Sequence, residues 1–247
     1  MDKYGLIGLP LGHSFSMGYF NEKFESEHID AEYFNFEIPN IGELKAVLDT
    51  NPELKGLNVT IPYKQQIIPF LNEITKEAKE IGAVNVVKVT RKGNKIALKG
   101  YNSDVVGFTQ SIRPLLEPCH KKALILGTGG ASKAVDYGLK SLGIETLFVS
   151  RSKKEGNITY EDITPELINE YKVIVNCTPV GMYPNFDDYP PLPYSSLDNH
   201  NLLYDLIYNP DETTFLAKGR QQGAITKNGL EMLLLQAFAS WEFWNDK

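Results

Sequence analysis

Residues Lys121 to Val135 read KKALILGTGGASKAV, an apolar run that meets three glycines and then turns helical. Ala123 to Leu126 is short and apolar at every position, which suits a strand buried on both faces of a parallel sheet. Gly127, Gly129 and Gly130 allow a tight turn whose backbone can come close to a pyrophosphate. The N–H groups of the following helix, from Ala131 and Ser132 onward, can receive its charge. Ser132 stands where the third glycine of G-x-G-x-x-G would be, and a lone match of this kind carries little weight. Its surroundings carry more. Helix-compatible residues run to Leu142, Gly143 stops them, and Glu145 to Ser150 (ETLFVS) reads as the next parallel strand. A full βαβ unit with a dinucleotide site is expected, the alternative being a tight glycine turn in an α/β protein without a nucleotide.

The end of that second strand reads Ser150, Arg151, Ser152, Lys153, Lys154. A carboxylate there would accept from both ribose hydroxyls and favour NAD, whereas arginine and hydroxyls suit a 2′-phosphate. The expectation is NADP; a solvated basic loop is the alternative.

The 247 residues, 42% hydrophobic and 23% charged, are enough for one large core or two modest ones, and two domains are expected. With 25 Lys plus Arg against 31 Asp plus Glu and a formal net charge of −6, there is no electrostatic case for nucleic acid. No apolar run approaches a membrane span and the start does not read as a signal peptide, so a cytoplasmic protein is expected. Cys119 and Cys177 form no C-x-x-C, and His13, His28, His120 and His200 are scattered. No disulfide and no metal are expected.

Ahead of the glycine unit, Lys3 to Gly8 reads as a strand, followed by a loop with Ser14 and Ser16 leading into a helix containing Met17, Phe20 and Phe24. Ser16 is placed as that helix's N-cap; two serines flanking Phe15 exceed what one cap requires, and they either shape the loop or bind a small polar ligand. Ala31 to Glu37 (strand), Ile41 to Thr50 (helix) and Gly56 to Thr60 (strand) continue a βαβαβ order. Asn58, Thr60 and Lys64 then cluster around Pro62, which is read as opening a helix. In open parallel sheets ligands bind outside the carboxyl ends of the strands, where this cluster would sit. Glu73 to Ile81 reads as a helix; Ala83 to Val89 and Lys95 to Lys99 read as a hairpin joined by RKGN, giving the sheet an antiparallel edge. Asn85 interrupts an apolar strand and needs partners, whether backbone or ligand. Asp104 precedes the helix Val105 to Leu115, where it either complements the helix N-terminus or does chemistry.

After the glycine unit come strands at Tyr171 to Asn176, Asn201 to Asp205 and Ala224 to Thr226, with Thr178 and Gly181 near the expected cofactor crevice and Tyr208 beyond a strand end. The last helix, Leu230 to about Trp244, carries one apolar stripe of Leu230, Leu233, Leu234, Ala237, Phe238 and Trp241. A second stripe holds Met232, Gln236, Ala239 and Phe243. A helix apolar on both sides is buried on both, so it is expected to return to the first domain. Gln236, the one amide on the second stripe, then needs a partner or a ligand.

Five blocks, GLPLGHSFS, NVTIPYK, GAVN with NSD, LGTGGASKAV with SRS, and DLIYNP followed by NGLEMLLLQA, stand in the order found in shikimate dehydrogenases, which the chain resembles from end to end. The resemblance implies NADP-dependent reduction of 3-dehydroshikimate to shikimate. It implies an N-terminal open mixed α/β sheet domain, residues 1–103 with 229–247, and a Rossmann-like NADP domain, residues 104–228. Lys64 and Asp104 match the catalytic pair. Ser14, Ser16, Asn58, Thr60, Asn85, Tyr208 and Gln236 match substrate-holding groups. Gly127, Thr128, Gly129, Gly130, Ala131, Ser132, Ser150, Arg151 and Ser152 match the cofactor site, Leu206, Gly229 and Met232 match positions beside the nicotinamide, and Thr178 is expected to bind the cofactor from its place near the crevice. Met17 replaces the family's usual proline, Ser150-Arg151-Ser152 its Asn-Arg-Thr, and Val105 its glycine. A monomer or homodimer is expected. The rival readings are a quinate or shikimate dehydrogenase preferring NAD, and a non-catalytic NADP-binding regulator. Gln236 is expected in the substrate cleft of the first domain.

Overall fold

The computed structural model describes residues 1–12, 14–93 and 95–246. It divides into two compact units, Met1–Ser103 with Ala237–Lys247, and Asp104–Gln236.

The first unit contains β1 (Asp2–Gly8), α1 (Phe15–Ser26), β2 (Ala31–Glu37), α2 (Leu44–Thr50), β3 (Leu54–Val59), β4 (Glu73–Ile74), α3 (Lys76–Ile81), β5 (Val86–Lys92) and β6 (Lys95–Tyr101). Its sheet runs β2-β1-β3-β5-β6-β4. Strands β2, β1 and β3 are parallel, and β5 is antiparallel to both β3 and β6. Alternation along the strands divides the core: Leu57, Val59, Val87 and Val89 enter one apolar cluster, while Tyr4, Leu6 and Val86 enter another rich in aromatic rings. Asn58, between Leu57 and Val59, points away from the first of these faces by the period-two rule.

The second unit contains α4 (Asp104–Ile112), β7 (Lys122–Leu126), α5 (Gly130–Ser141), β8 (Glu145–Ser150), β9 (Asn157–Thr159), α6 (Pro165–Glu170), β10 (Val173–Asn176), β11 (Leu202–Asp205), α7 (Thr214–Gln221), β12 (Ile225–Lys227) and the start of α8 (Leu230–Asn245). Its sheet is parallel throughout, ordered β12-β11-β10-β7-β8-β9. This is the doubly wound dinucleotide-binding order, with the reversal between β7 and β10. Both faces of β7, β10 and β11 are covered, Leu124, Ile174 and Leu203 on one side and Ile125, Val175 and Tyr204 on the other.

Several sequence expectations need correction. Ser14, not Ser16, caps α1: its side chain accepts from Met17 N, and Ser16 lies inside the helix. Pro62 opens turns rather than a helix: Tyr63 N bonds Thr60 O, Ile67 N bonds Tyr63 O and Ile68 N bonds Gln65 O, leading into a single 3-10 turn over Ile68–Phe70 that contains Pro69. Glu73 and Ile74 pair with β6 as a sheet edge, and Thr75 caps a helix that begins only at Lys76. Three short elements, β9, α6 and α7, were not read from the sequence.

The stripes on α8 also differ from expectation. Leu230 and Phe238 are exposed, while Met232, Ala237, Ala239, Ser240 and Trp244 are buried. Residues up to Gln236 belong to the second unit and those from Ala237 on to the first. In the first unit Trp244 packs within 4.8 Å of Tyr4 and 5.2 Å of Phe20 between ring centroids, over Gly56, where any Cβ would collide with the indole.

Candidate active site

In the first unit the residues singled out from sequence gather at one end of the sheet. Asn58 is the penultimate residue of β3, Thr60 follows that strand, Asn85 precedes β5, and Ser103 lies just beyond β6. The register pairs Asn58 with Val86 and Val86 with Tyr101, so these strand ends are neighbours. Main-chain bonds hold the loops together: Val59 N donates to Asn85 O at 2.8 Å, and Asn85 N to Tyr101 O at 3.1 Å. Val84 N donates to the carbonyl of Lys64 at 2.8 Å, which fixes the turn carrying the half-buried Lys64 beside Asn85.

The polar side chains there form one network. Tyr33 OH donates to Asn58 Oδ1 at 2.8 Å, and Asn58 Nδ2 donates to Ser240 Oγ at 2.9 Å and to Asn85 O at 3.4 Å. Ser103 N donates to Asn85 Oδ1 at 2.6 Å, and Asn85 Nδ2 donates to Ser103 Oγ at 3.0 Å. Ser103 Oγ and Ser240 Oγ are 3.2 Å apart, and Asn102 Nδ2 donates to Ala83 O at 3.0 Å. Burial raises the pKa of the Tyr33 hydroxyl well above that of a free tyrosine, against the opposing pull of the Ser16 side chain. Ser14, as a cap, uses a lone pair toward Met17 N, which leaves its O–H a donor to another group.

In the second unit the glycine turn is as expected. Gly127 has φ of +102°, a conformation that favours glycine,. A Cβ there would lie 3.0 Å from Thr178 Cγ2. Gly129 caps α5 without a side chain, and at Gly129 and Gly130 a Cβ would meet nothing within 4 Å. Ser132 is buried and donates to Gly129 O at 2.6 Å, closing the first turn of α5. A cavity of about 510 Å³ opens beside this turn, lined by Gly127, Thr128, Gly129, Ser150, Arg151 and Thr178 among others. Glycine turn, helix N-terminus, cavity and arginine are the parts a dinucleotide phosphate site requires.

Ser150 is held from two sides. Its hydroxyl donates to Ser152 O at 2.5 Å and accepts from Asn157 Nδ2 at 2.6 Å. Asn157 Oδ1 in turn accepts from Lys154 N at 2.6 Å, tying down the loop that carries the exposed Arg151.

Behind the pocket sits a buried carboxylate. Asp205 accepts from Asn176 Nδ2 at 3.0 Å, from Ile207 N at 3.0 Å and from Thr213 Oγ1 at 2.6 Å. Burial pushes its pKa up to about 6, against the opposing pull of the bonds from Thr213, Ile207 and Asn176. Asn176 Oδ1 meanwhile accepts from Thr178 Oγ1 at 2.6 Å. Thr178 and the chain entering Leu206 and Tyr208 are thus anchored to one buried group. Gly229 N donates to Ile207 O at 3.0 Å, bringing Gly229 against Leu206. Met232 is buried in the same unit, and a Cβ at Gly107 on α4 would stand 2.5 Å from its carbonyl. Asp104 is buried as the first residue of α4, Tyr208 is exposed, and Gln236 is half-buried at the end of this unit rather than within the first one.

Sequence reasoning missed Tyr33, Ser103 and Ser240 in the first unit, and Tyr160, Tyr189 and the Pro190-Pro191 pair that line the second unit's cavity. Ser240 stands one helical turn from Gln236, and Ser103 is the middle residue of the NSD block,. Among the described residues the fold also brings the ligand atoms of Glu117, Cys119 and His200 within 4.8 Å of one another, all three exposed. They lie ahead of β7 and β11, at the end of the sheet away from the glycine turn.

A doubly wound parallel sheet with a glycine turn and basic strand end, in one chain with a mixed sheet bearing a lysine and an amide cluster at its strand ends, defines a two-domain dinucleotide-binding protein of the dehydrogenase type. The family model for the shikimate dehydrogenase substrate binding domain matches residues 6–87. The NADP(+) shikimate dehydrogenase of Clostridium beijerinckii is 39% identical over 256 residues, covering 100% of this chain and 93% of that protein. The crystal structure of shikimate 5-dehydrogenase from Thermus thermophilus in complex with NADP(H) and shikimate superposes with a TM-score of 0.86 at 27% identity, over 100% of this chain and 94% of that one. Quinate dehydrogenase from Corynebacterium glutamicum in complex with NAD gives a TM-score of 0.87 at 25% identity, over 100% and 94%. The chain belongs to the shikimate dehydrogenase family. Among the described residues no helix is long and apolar enough to cross a membrane.

Proposed function

We propose that this protein catalyses the reversible NADP-dependent reduction of 3-dehydroshikimate to shikimate. The observation that carries the reading is full-length kinship with NADP(+) shikimate dehydrogenases in a chain that keeps both Lys64 and Asp104 in their motifs. The residues around the glycine turn fit NADP: open backbone at Gly129 and Gly130, and Arg151 on the cavity wall. Bound there, the cofactor supplies a hydride to the substrate carbonyl carbon. Everything else falls to the chain. The alkoxide that develops on the carbonyl oxygen needs a proton, which the Lys64 ammonium gives, with the Asp104 carboxylate orienting the reacting hydroxyl and the lysine. The hydroxyls of Ser14, Ser16 and Tyr208 hold the substrate carboxylate. Asn58, Thr60, Asn85 and Gln236 hold the ring hydroxyls, so recognition rests on hydrogen-bond donors and acceptors in place of an arginine clamp. Thr178, Leu206, Gly229 and Met232 shape the nicotinamide end. The protein works in the cytoplasm as a monomer or homodimer on a small-molecule substrate.

A second reading, a quinate or shikimate dehydrogenase preferring NAD, draws support for that cofactor from Ser150, whose hydroxyl is engaged with Ser152 and Asn157 rather than reserved for a phosphate. A non-catalytic regulator is disfavoured because the lysine and the aspartate both remain. Initial rates with shikimate or quinate against NADP or NAD, read by the absorbance of the reduced nicotinamide, separate these readings. Absence of shikimate turnover with either cofactor overturns the proposal.

A further inference from the structure

We infer that Ser240, on α8, is a positioning residue for the substrate, acting through the amide of Asn58. The inference rests on the reading of Asn58 and Asn85 as holders of substrate hydroxyls. An asparagine amide turned by 180° has almost the same shape but exchanges its donor and acceptor ends. A site that reads hydroxyls with two amides must therefore hold each of them in one orientation.

For Asn85 the backbone does this. The N–H of Ser103 can only donate, so it fixes Asn85 Oδ1 on its side at 2.6 Å, and Nδ2 on the side of Ser103 Oγ. Among the described residues no backbone N–H takes that role for Asn58. The main-chain group that they place on its amide is the carbonyl of Asn85, at a long 3.4 Å from Nδ2. Its short contacts are hydroxyls, Tyr33 on the oxygen at 2.8 Å and Ser240 on the nitrogen at 2.9 Å. A hydroxyl can donate or accept, and here Ser240 is tied to Ser103 Oγ at 3.2 Å, the same atom that receives Asn85 Nδ2. With Ser240 as the donor in that bond, its Oγ has only lone pairs left for Asn58, and the Asn85 carbonyl, which can only accept, favours the same nitrogen,. The orientation of Asn85 is thus carried through two buried hydroxyls to Asn58, with Tyr33 closing the other side. Ser103 and Ser240 are both almost wholly buried, so water does not substitute freely for either.

The test is a mutant cycle with Asn58. Wild-type turnover of shikimate and a raised KM for shikimate in Asn58→Ala establish the reading on which the inference rests; if either is lacking, both fall together. With that established, Ser240→Ala is expected to raise the KM for shikimate roughly two- to tenfold, the loss of about one hydrogen bond, with the KM for NADP unchanged. In the Asn58→Ala background the same substitution is expected to add nothing further, since residues acting through one group are not additive. Tyr33→Phe, which leaves Ser240 in place, should show the same dependence on Asn58 and keeps the test open if Ser240→Ala does not fold. A lowered melting temperature with an unchanged KM, or an effect on KM that persists undiminished in the Asn58→Ala background, overturns the inference.

Discussion

Gly229 leaves no room for a side chain: a Cβ there would run into the carbonyl of Leu206, while its own N–H bonds Ile207 O at 3.0 Å. The backbone entering α8 is thereby pressed onto the loop after β11. Gly229→Ala is expected to push these segments apart, costing about 1–3 kcal/mol as an overpacked buried site does. The KM for NADP should rise more than that for shikimate. Equal melting temperatures and kinetics for variant and wild type would mean that the loop yields freely.

Lys64→Ala should remove most turnover, on the order of 10²- to 10⁴-fold as for a positioned acid or base, while shikimate affinity changes far less. The ammonium matters most as charge develops on the oxygen. Near-normal kcat in the variant would dismiss Lys64 as the proton donor.

Arg151 stands on the cavity wall in a loop braced by Asn157. Its guanidinium can pair a 2′-phosphate bidentately, a charge-assisted contact of roughly 1.5 to 3 kcal/mol. Arg151→Ala should therefore raise the KM for NADP much more than that for NAD. If both rise alike, the residue shapes the loop without reading the phosphate.

Asp205 makes stability depend on pH. Its pKa is raised from 3.8 in an unfolded chain to about 6 in the fold by burial, so between those values the folded state binds more protons than the unfolded one. Stability from this group is fully present below the unfolded value and is lost as pH rises through the folded value, a loss of about 3 kcal/mol across the window. Asp205→Asn, which cannot ionise and still offers an acceptor to Ile207 N and Asn176 Nδ2, should abolish that component. Melting temperatures of both proteins from pH 4 to pH 7 check it: the difference between them should grow in favour of the variant with rising pH. A constant difference would show that Asp205 does not titrate in this range.

Gln236→Ala should raise the KM for shikimate by the worth of one hydrogen bond, about 0.5 to 1.5 kcal/mol, with cofactor affinity and the ligand-free melting temperature nearly unchanged. A large drop in the ligand-free melt with stabilisation by shikimate intact would make Gln236 structural.

Local chemistry made much of this protein legible in advance. The apolar run before Gly127 suited a buried strand, three glycines marked the tight turn after it, and a hairpin followed from RKGN and its flanking strands, because backbone sterics and side-chain period act over a few residues. The second unit's strands other than β9 were found for the same reason. Where two local signals competed, neighbours decided: Ser14 took the cap read for Ser16, and the chain after Pro62 closed into turns in place of the helix read there. Leu230 and Phe238 were apolar yet exposed, because the face of α8 that is buried depends on what packs against it, Trp244 over Gly56 above all. Tertiary structure alone decided the polarity of the site. Asn58 and Ser240 are bonded across 182 positions, and no local pattern links them to each other or to Tyr33 and Ser103. Hydrogen bonding between buried groups depends on distance in space and on which atom has a proton to give, and only the fold brings those atoms within reach.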